Sequence, residues 1–207
     1  MKEFKHLPGL DLIRVFGILV VVFYHYQVET AVRGLCPADF LPAMEPLVQV
    51  AVYTMTLLSG SCLCWQEKSR SWSMKRYLWG RFLAIYPLFW LCFFPIFIYS
   101  DIICGNNEGV APWKLLLSIV GVDGYFQSFT PTFYKIGEWY LGCILFLYAV
   151  FPVLWRMIRR RGVVFAAVGA LFAWLACCFV ENPGQLYPTL IGQLPLFFMG
   201  IFLGGCL

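Results

Sequence analysis

The chain has 207 residues, of which 61% are hydrophobic and only 13% charged, with a formal net charge of +4 and a mean hydropathy of +0.76. Soluble domains carry nearer a quarter charged residues, so this composition excludes an ordinary soluble enzyme. The apolar runs are continuous rather than alternating, which excludes a transmembrane β-barrel, and the cations gather in short connections between runs, which is topology information rather than a nucleic-acid footprint.

Apolar runs at residues 11–30, 46–65, 83–100, 137–156, 163–181 and 189–206 are each near the length that crosses about 30 Å of hydrocarbon at about 1.5 Å per residue. They predict an all-α, polytopic transmembrane bundle of about six spans with a short interfacial or re-entrant helix, in a single domain over residues 1–207.

The first run, LDLIRVFGILVVVFYH from Leu10 to His25, starts too early and has too little of a small-residue cleavage pattern for an ordinary signal peptide. It carries Arg14 near its beginning and His25 near its end. Titratable groups inside a bilayer helix are costly and face a protein interior or a wet cavity. Eleven residues apart, the two lie about 20° apart around a helix and about 16 Å apart along it, hence on one face. Asp11, three residues before Arg14, is placed to hold the guanidinium. His6 precedes the run, so His25 is the sharper choice for histidine chemistry.

The second run, VQVAVYTMTLLSGSCLCW, mixes hydroxyls and Gly60 into apolar sequence, groups that bond within a helix bundle. Ser59 has no sequence-close base and reads as helix packing rather than as a nucleophile. The following connection carries Lys68, Arg70, Lys75, Arg76 and Arg81 against Glu67. Pro87, Pro95 and Pro152 fall in or near later runs, as expected kinks.

Between the third and fourth spans, the stretch from Asp101 to Gly137 contains WKLLLSIVGVDGYF, too short to cross. It reads as an interfacial or re-entrant helix at the outer surface, ending near Asp123 and Gly124. The next short basic connection holds Arg156, Arg159, Arg160 and Arg161, whereas Glu29, Arg33, Asp39 and Glu45 make the first connection acidic, and Glu181 is the only charge in the last. Two basic connections separated by an acidic one predict a cytoplasmic amino terminus in the cell membrane.

Of nine cysteines, Cys62, Cys64, Cys92, Cys143, Cys177, Cys178 and Cys206 lie in apolar runs and read as packing residues. Cys36 and Cys104 sit in connections and would pair in an oxidising compartment. There is no CxxC and no Cys/His cluster, so no metal site is expected.

Several segments carry a resemblance. LDLIRVFGILVVVFYH resembles the first helix of the acyltransferase type 3 family of membrane proteins, in which an arginine and a histidine are separated by ten residues. TLLSG, with Leu58, Ser59 and Gly60, resembles its Leu-Ser-Gly segment, and KRYLWGRFLAIYPLF resembles its basic stretch followed by Tyr-Pro at Tyr86 and Pro87. WYLGCILFLYAVFP is similar to a segment running Trp, Leu, Tyr, Pro, with Trp139, Leu141, Tyr148 and Pro152 in those places, and QLPLFFMGIFLGG to a Leu-Pro and small-residue helix.

This resemblance implies acyl transfer, commonly acetyl, from cytoplasmic acyl-coenzyme A to a hydroxyl of an exported, cell-surface or lipid-linked carbohydrate. It implies His25 as the catalytic histidine, Arg14 as its partner in catalysis and donor binding, and Arg76 and Arg81 as cations for coenzyme phosphates. Where many bacterial members have a glutamate five residues after the tryptophan, this chain has Ile144. The family also has more membrane helices than this chain has apolar runs, which implies a shortened or incomplete member, complemented by further C-terminal helices or a second copy. The competing reading is a noncatalytic transport, flippase-like or sensory module. In either case the partners are membrane lipids and, for the enzyme, a carbohydrate or lipid-linked glycan, with no nucleic acid.

Overall fold

A computed structural model describes residues 8–35, 37–68, 71–106, 109–126, 129–135, 138–178 and 189–206. Among them are seven α-helices and no strand: α1 (Pro8–Val32), α2 (Leu41–Lys68), α3 (Met74–Phe97), α4 (Leu115–Val120), α5 (Trp139–Arg161), α6 (Val164–Cys178) and α7 (Leu190–Cys206). Four of them, α1, α2, α3 and α5, are long and apolar enough to cross a membrane. The expected fifth and sixth spans are shorter, at 15 and 17 residues, or about 22 and 26 Å at the helical rise. His6, Cys36, Arg70 and Glu181 lie outside the described residues.

The helix expected as interfacial or re-entrant is a single α-helical segment of six residues. A 3-10 turn leads into it at Pro112–Lys114, and Gly121 ends it in the left-handed conformation at φ 79°, a common glycine C-cap. α3 passes directly into a π-helical turn over Ile98–Ile103, closed by the Cys104 amide on the Tyr99 carbonyl at 3.0 Å. Pro87 and Pro95 lie inside α3, and Pro95 withholds one amide just before the helix changes pitch.

The chain forms two compact units, one of residues up to Ser71 together with those from Trp155 onward, the other Trp72–Leu154. The division falls within α5.

In the first unit, α2 and α7 touch backbone to backbone. A Cβ on Gly200 would collide with the Leu57 carbonyl, one on Gly204 with the Ser61 carbonyl, and one on Gly60 with the Phe197 carbonyl. Hydrogen bonds accompany the contact: Thr56 Oγ1 donates to Gln193 Oε1 at 2.7 Å, Ser61 Oγ to the Gly200 carbonyl at 2.8 Å, and Lys68 Nζ to the Gly205 carbonyl at 2.7 Å. Partners ascend together along both helices, so α2 and α7 are parallel. α1 packs on α2 through Val20, Val21 and Tyr24 against Val48 and Ala51. α6 runs antiparallel to α7, with Gly169 against Phe198 and Gly205 against Val163.

In the second unit, α3 and α5 meet where the Tyr77 hydroxyl donates to the Tyr148 carbonyl at 2.7 Å and the Tyr77 ring stacks on Phe151. α3 also supports α4 at its end: the Trp90 indole donates to the Ile119 carbonyl at 2.9 Å and the Tyr86 hydroxyl to the Val120 carbonyl at 3.0 Å. Terminal helix carbonyls have no intrahelical partner, and these side chains supply one.

The glycine contact yields a contrast. Gly200→Leu forces α2 and α7 apart and is expected to lower stability by about 1–3 kcal/mol or more. Gly80→Ala, at a helical site with open space around it, is expected to be neutral or to gain up to about 1 kcal/mol. Thermal unfolding of both variants in detergent micelles checks the difference.

Candidate active site

α1 is unbroken from Pro8 to Val32, so the arithmetic of an ideal helix holds for its two titratable residues: Arg14 and His25 share a flank, about 16 Å apart along the axis. Gly17 and Val20 are buried and Val21 and Tyr24 half-buried, which defines the stripe turned to α2. Arg14 and His25 lie beside that stripe. Arg14 is half-buried, and its Nη1 meets Asp11 Oδ1 at 3.3 Å. The two side chains keep 37% and 45% of their surface exposed, so the pair orients the guanidinium more than it stabilises the helix.

His25 is exposed, and its ring stands edge-on to Tyr24 with centroids 5.9 Å apart. Arg14 and His25 are therefore not in mutual contact. They stand at two levels of one helix face, about 16 Å apart along the axis. Ser59 donates to the Met55 carbonyl at 2.8 Å within its own helix, in keeping with a packing role.

The basic segment begins α3. Arg76 is exposed in its first turn, where a phosphate can approach it from water. Arg81 lies deeper: its guanidinium carbon is 5.6 Å from the centroid of the Tyr148 ring, a cation–π distance. Ile144 on α5 is buried, as are Cys143 and Leu147 of the same helix, so the position where the resemblance leads to the expectation of a glutamate is apolar and buried here.

The segment between α3 and α5 holds buried polar groups that the sequence does not advertise. Lys135 Nζ meets Asp101 Oδ2 at 2.9 Å and donates to Ser100 Oγ at 3.2 Å, while the Lys135 amide donates to Glu138 Oε1 at 3.2 Å. Asp101 and Glu138 are almost completely buried. This clasp ties the π-helical end of α3 to the segment entering α5. A second link is the Ser118 hydroxyl donating to Asp123 Oδ2 at 2.7 Å. Burial pushes the Asp123 carboxyl above the ordinary carboxylate range, and hydrogen bonds from Ser118 and from the amides of Asp123 and Gly124 partly offset that rise. Lys135 was missed by pattern reasoning because its carboxylate partner is 34 positions away in a stretch without periodicity.

Among the described residues, no three His, Cys, Asp or Glu side chains gather as a metal site. The eight described cysteines are free thiols. Cys64 and Cys143 are buried as packing residues, whereas Cys92, Cys178 and Cys206 lie on outward faces of apolar helices. A small apolar side chain is tolerated on a lipid-facing surface as well as in a core. Cys104 is exposed, and its expected partner Cys36 lies outside the described residues.

Comparison with known proteins adds a family-level finding. The acyltransferase domain model of the type 3 acyltransferases matches residues 7–205. Among curated proteins, the chain is similar to Acyltransferase MdmB of Streptomyces mycarofaciens, with 26% identity over 191 residues, covering 85% of this chain and 47% of the relative. The chain thus spans about half the length of the curated relative it matches. No solved structure matches it.

Removing Lys135 leaves Asp101 buried without its counter-charge. Lys135→Met is expected to lower stability by about 3–5 kcal/mol, and the double variant Lys135→Met/Asp101→Leu to recover most of that loss. Chemical unfolding of the single and double variants gives both values.

Proposed function

The chain belongs to the type 3 acyltransferase family, and from that premise we propose that it works as a membrane O-acyltransferase, moving an acyl group, commonly acetyl, from acyl-coenzyme A to a hydroxyl of an exported or cell-surface carbohydrate. The observation that carries this reading is the placement of Arg14 and His25 on one flank of an unbroken helix, inside a family match that covers nearly the whole chain. The basic residues at 67–81, which run from the end of α2 into the first turns of α3, and at 156–161, the last turns of α5, support a cytoplasmic amino terminus in the cell membrane. Arg14 then lies toward the cytoplasm, where the donor is, and His25 toward the outer side, where the acceptor is.

Each residue type suits its assigned task. The Arg14 guanidinium presents a planar fork of donors that matches phosphate oxygens, and Asp11 holds it in orientation. Arg76 and Arg81 are further cations for the coenzyme phosphates. His25 accepts the proton of the acceptor hydroxyl as that oxygen attacks the thioester carbonyl. The new carbon–oxygen bond replaces the carbon–sulfur bond, and the departing thiolate takes up the proton from the imidazolium. No acyl-enzyme step is needed, and Ser59 stays a helix-packing residue.

A noncatalytic transport, flippase-like or sensory module is the second reading, and the buried Ile144 favours it, because a mechanism that required a carboxylate there lacks one. The two readings separate on transfer itself. The assay follows labelled acyl-coenzyme A and a panel of glycans in proteoliposomes of the full-length protein containing this region. His25→Ala is expected to reduce transfer by at least about 10²-fold with donor binding retained. Arg14→Ala is expected to weaken donor binding by at least about tenfold. Wild-type turnover by His25→Ala rules out the general-base assignment, and donor binding without transfer to any glycan supports the noncatalytic module.

A further inference from the structure

α1 holds Arg14 and His25 at a fixed interval. It has no proline beyond its first residue and no interruption between Pro8 and Val32, so the two positions stay about 16 Å apart along the axis and about 20° apart around it. Helical side chains lean toward the amino end, so the guanidinium and the imidazole are displaced the same way and the interval survives between their tips. Asp11 fixes the first of the two. On the flank between them stand Ile18, exposed, and Val21, half-buried, whose side chains offer neither charge nor hydrogen bond. This flank therefore grips a ligand only at its two ends.

The donor of the proposed transfer has the same interval. Its arm runs from a phosphorus through pantoate, β-alanine and cysteamine to the sulfur, about thirteen bonds at about 1.2 Å of extended chain each, or about 16 Å. Anionic oxygens stand at one end of the arm and the thioester at the other, as Arg14 and His25 stand on α1. An acyl phosphate, whose phosphorus and acyl carbon are only about two bonds apart, cannot meet both residues. Resting on the function proposed above, we propose that α1 is a ruler for the phosphopantetheine arm: Arg14 holds the phosphate next to the arm, the extended arm lies over Ile18 and Val21, and the thioester comes to His25. The donor class is then a thioester on a full-length phosphopantetheine arm, selected by the distance between its phosphate and its sulfur.

The test needs no acceptor. Full-length protein in detergent micelles is treated with bromoacetyl-coenzyme A, whose bromine-bearing carbon is attacked by an imidazole nitrogen with loss of bromide and the imidazole proton. Peptide mass spectrometry locates the alkylated residues with and without excess acetyl-coenzyme A. Alkylation of His25 that acetyl-coenzyme A prevents is expected. A reagent lacking the β-alanine unit, shorter by about four bonds or about 5 Å, alkylates His25 at least about tenfold less, since a misplacement of about 1 Å already costs up to about 10²-fold. Arg14→Ile/Ile18→Arg moves the guanidinium four residues, about 6 Å, toward His25 on the same flank and reverses the preference in favour of the short reagent. Circular dichroism confirms that this variant folds; if it does not, Arg14→Gln takes its place and lowers alkylation by the full-length reagent at least about tenfold. Equal protected alkylation of His25 by the two reagents in the wild-type chain, or none by either, overturns the ruler, whether or not acyl transfer is found. The expected alkylation pattern without transfer to any glycan supports the ruler and counts against the enzyme, so the two readings fail separately.

Discussion

Helices in hydrocarbon gain nothing from hiding apolar surface from one another, so close packing and interhelical hydrogen bonds must hold them. The contact of α2 with α7 meets that constraint, and the first unit depends on it. Three glycines let the backbones touch. The fully buried Thr56 donates to the equally buried Gln193 there, and Ser61 and Lys68 donate to the Gly200 and Gly205 carbonyls of α7. α6 is attached to the far side of α7 and α1 to α2, so both rely on this pair for their placement.

The second unit uses aromatic side chains where the first uses glycine. Tyr77, Tyr86 and Trp90 point a polar tip from α3 at a backbone carbonyl while their rings fill space, the arrangement suited to groups that are apolar on one end and polar on the other. The Lys135–Asp101 clasp completes the unit at the π-helical end of α3. The Tyr-Pro segment of the family resemblance thereby acquires a physical reason, since Tyr86 caps the carbonyl end of α4.

Much of this was legible in the chain because a bilayer imposes a length and a polarity on every span. The six apolar runs became helices, although α3 begins nine residues before its run and takes in Lys75, Arg76 and Arg81 of the expected basic connection, and the shared face of Arg14 and His25 followed from spacing because α1 has no break. What stayed hidden depended on partners distant in sequence. Gly60 and Ser61 show their purpose only beside Gly200 and Gly204, and Arg81 reads as one more cation of a basic loop until Tyr148 is placed under it. The interfacial stretch was read correctly as too short to cross, but Gly121 cuts its α-helix to six residues, a consequence of one left-handed position rather than of hydropathy.

α1 is the least packed of the long helices together with α3, and it carries the two residues to which catalysis is assigned. A charged residue on such a helix is costly in lipid, and the proposed reaction gives Arg14 and His25 their place: a donor at one depth, an acceptor at the other. The sidedness of transfer tests this most directly. In vesicles reconstituted with the full-length protein in one orientation, labelled acyl-coenzyme A supplied only on the side of the α1 amino terminus is expected to label acceptor glycan held only on the opposite side. Labelling that requires donor and acceptor in the same compartment would contradict the account.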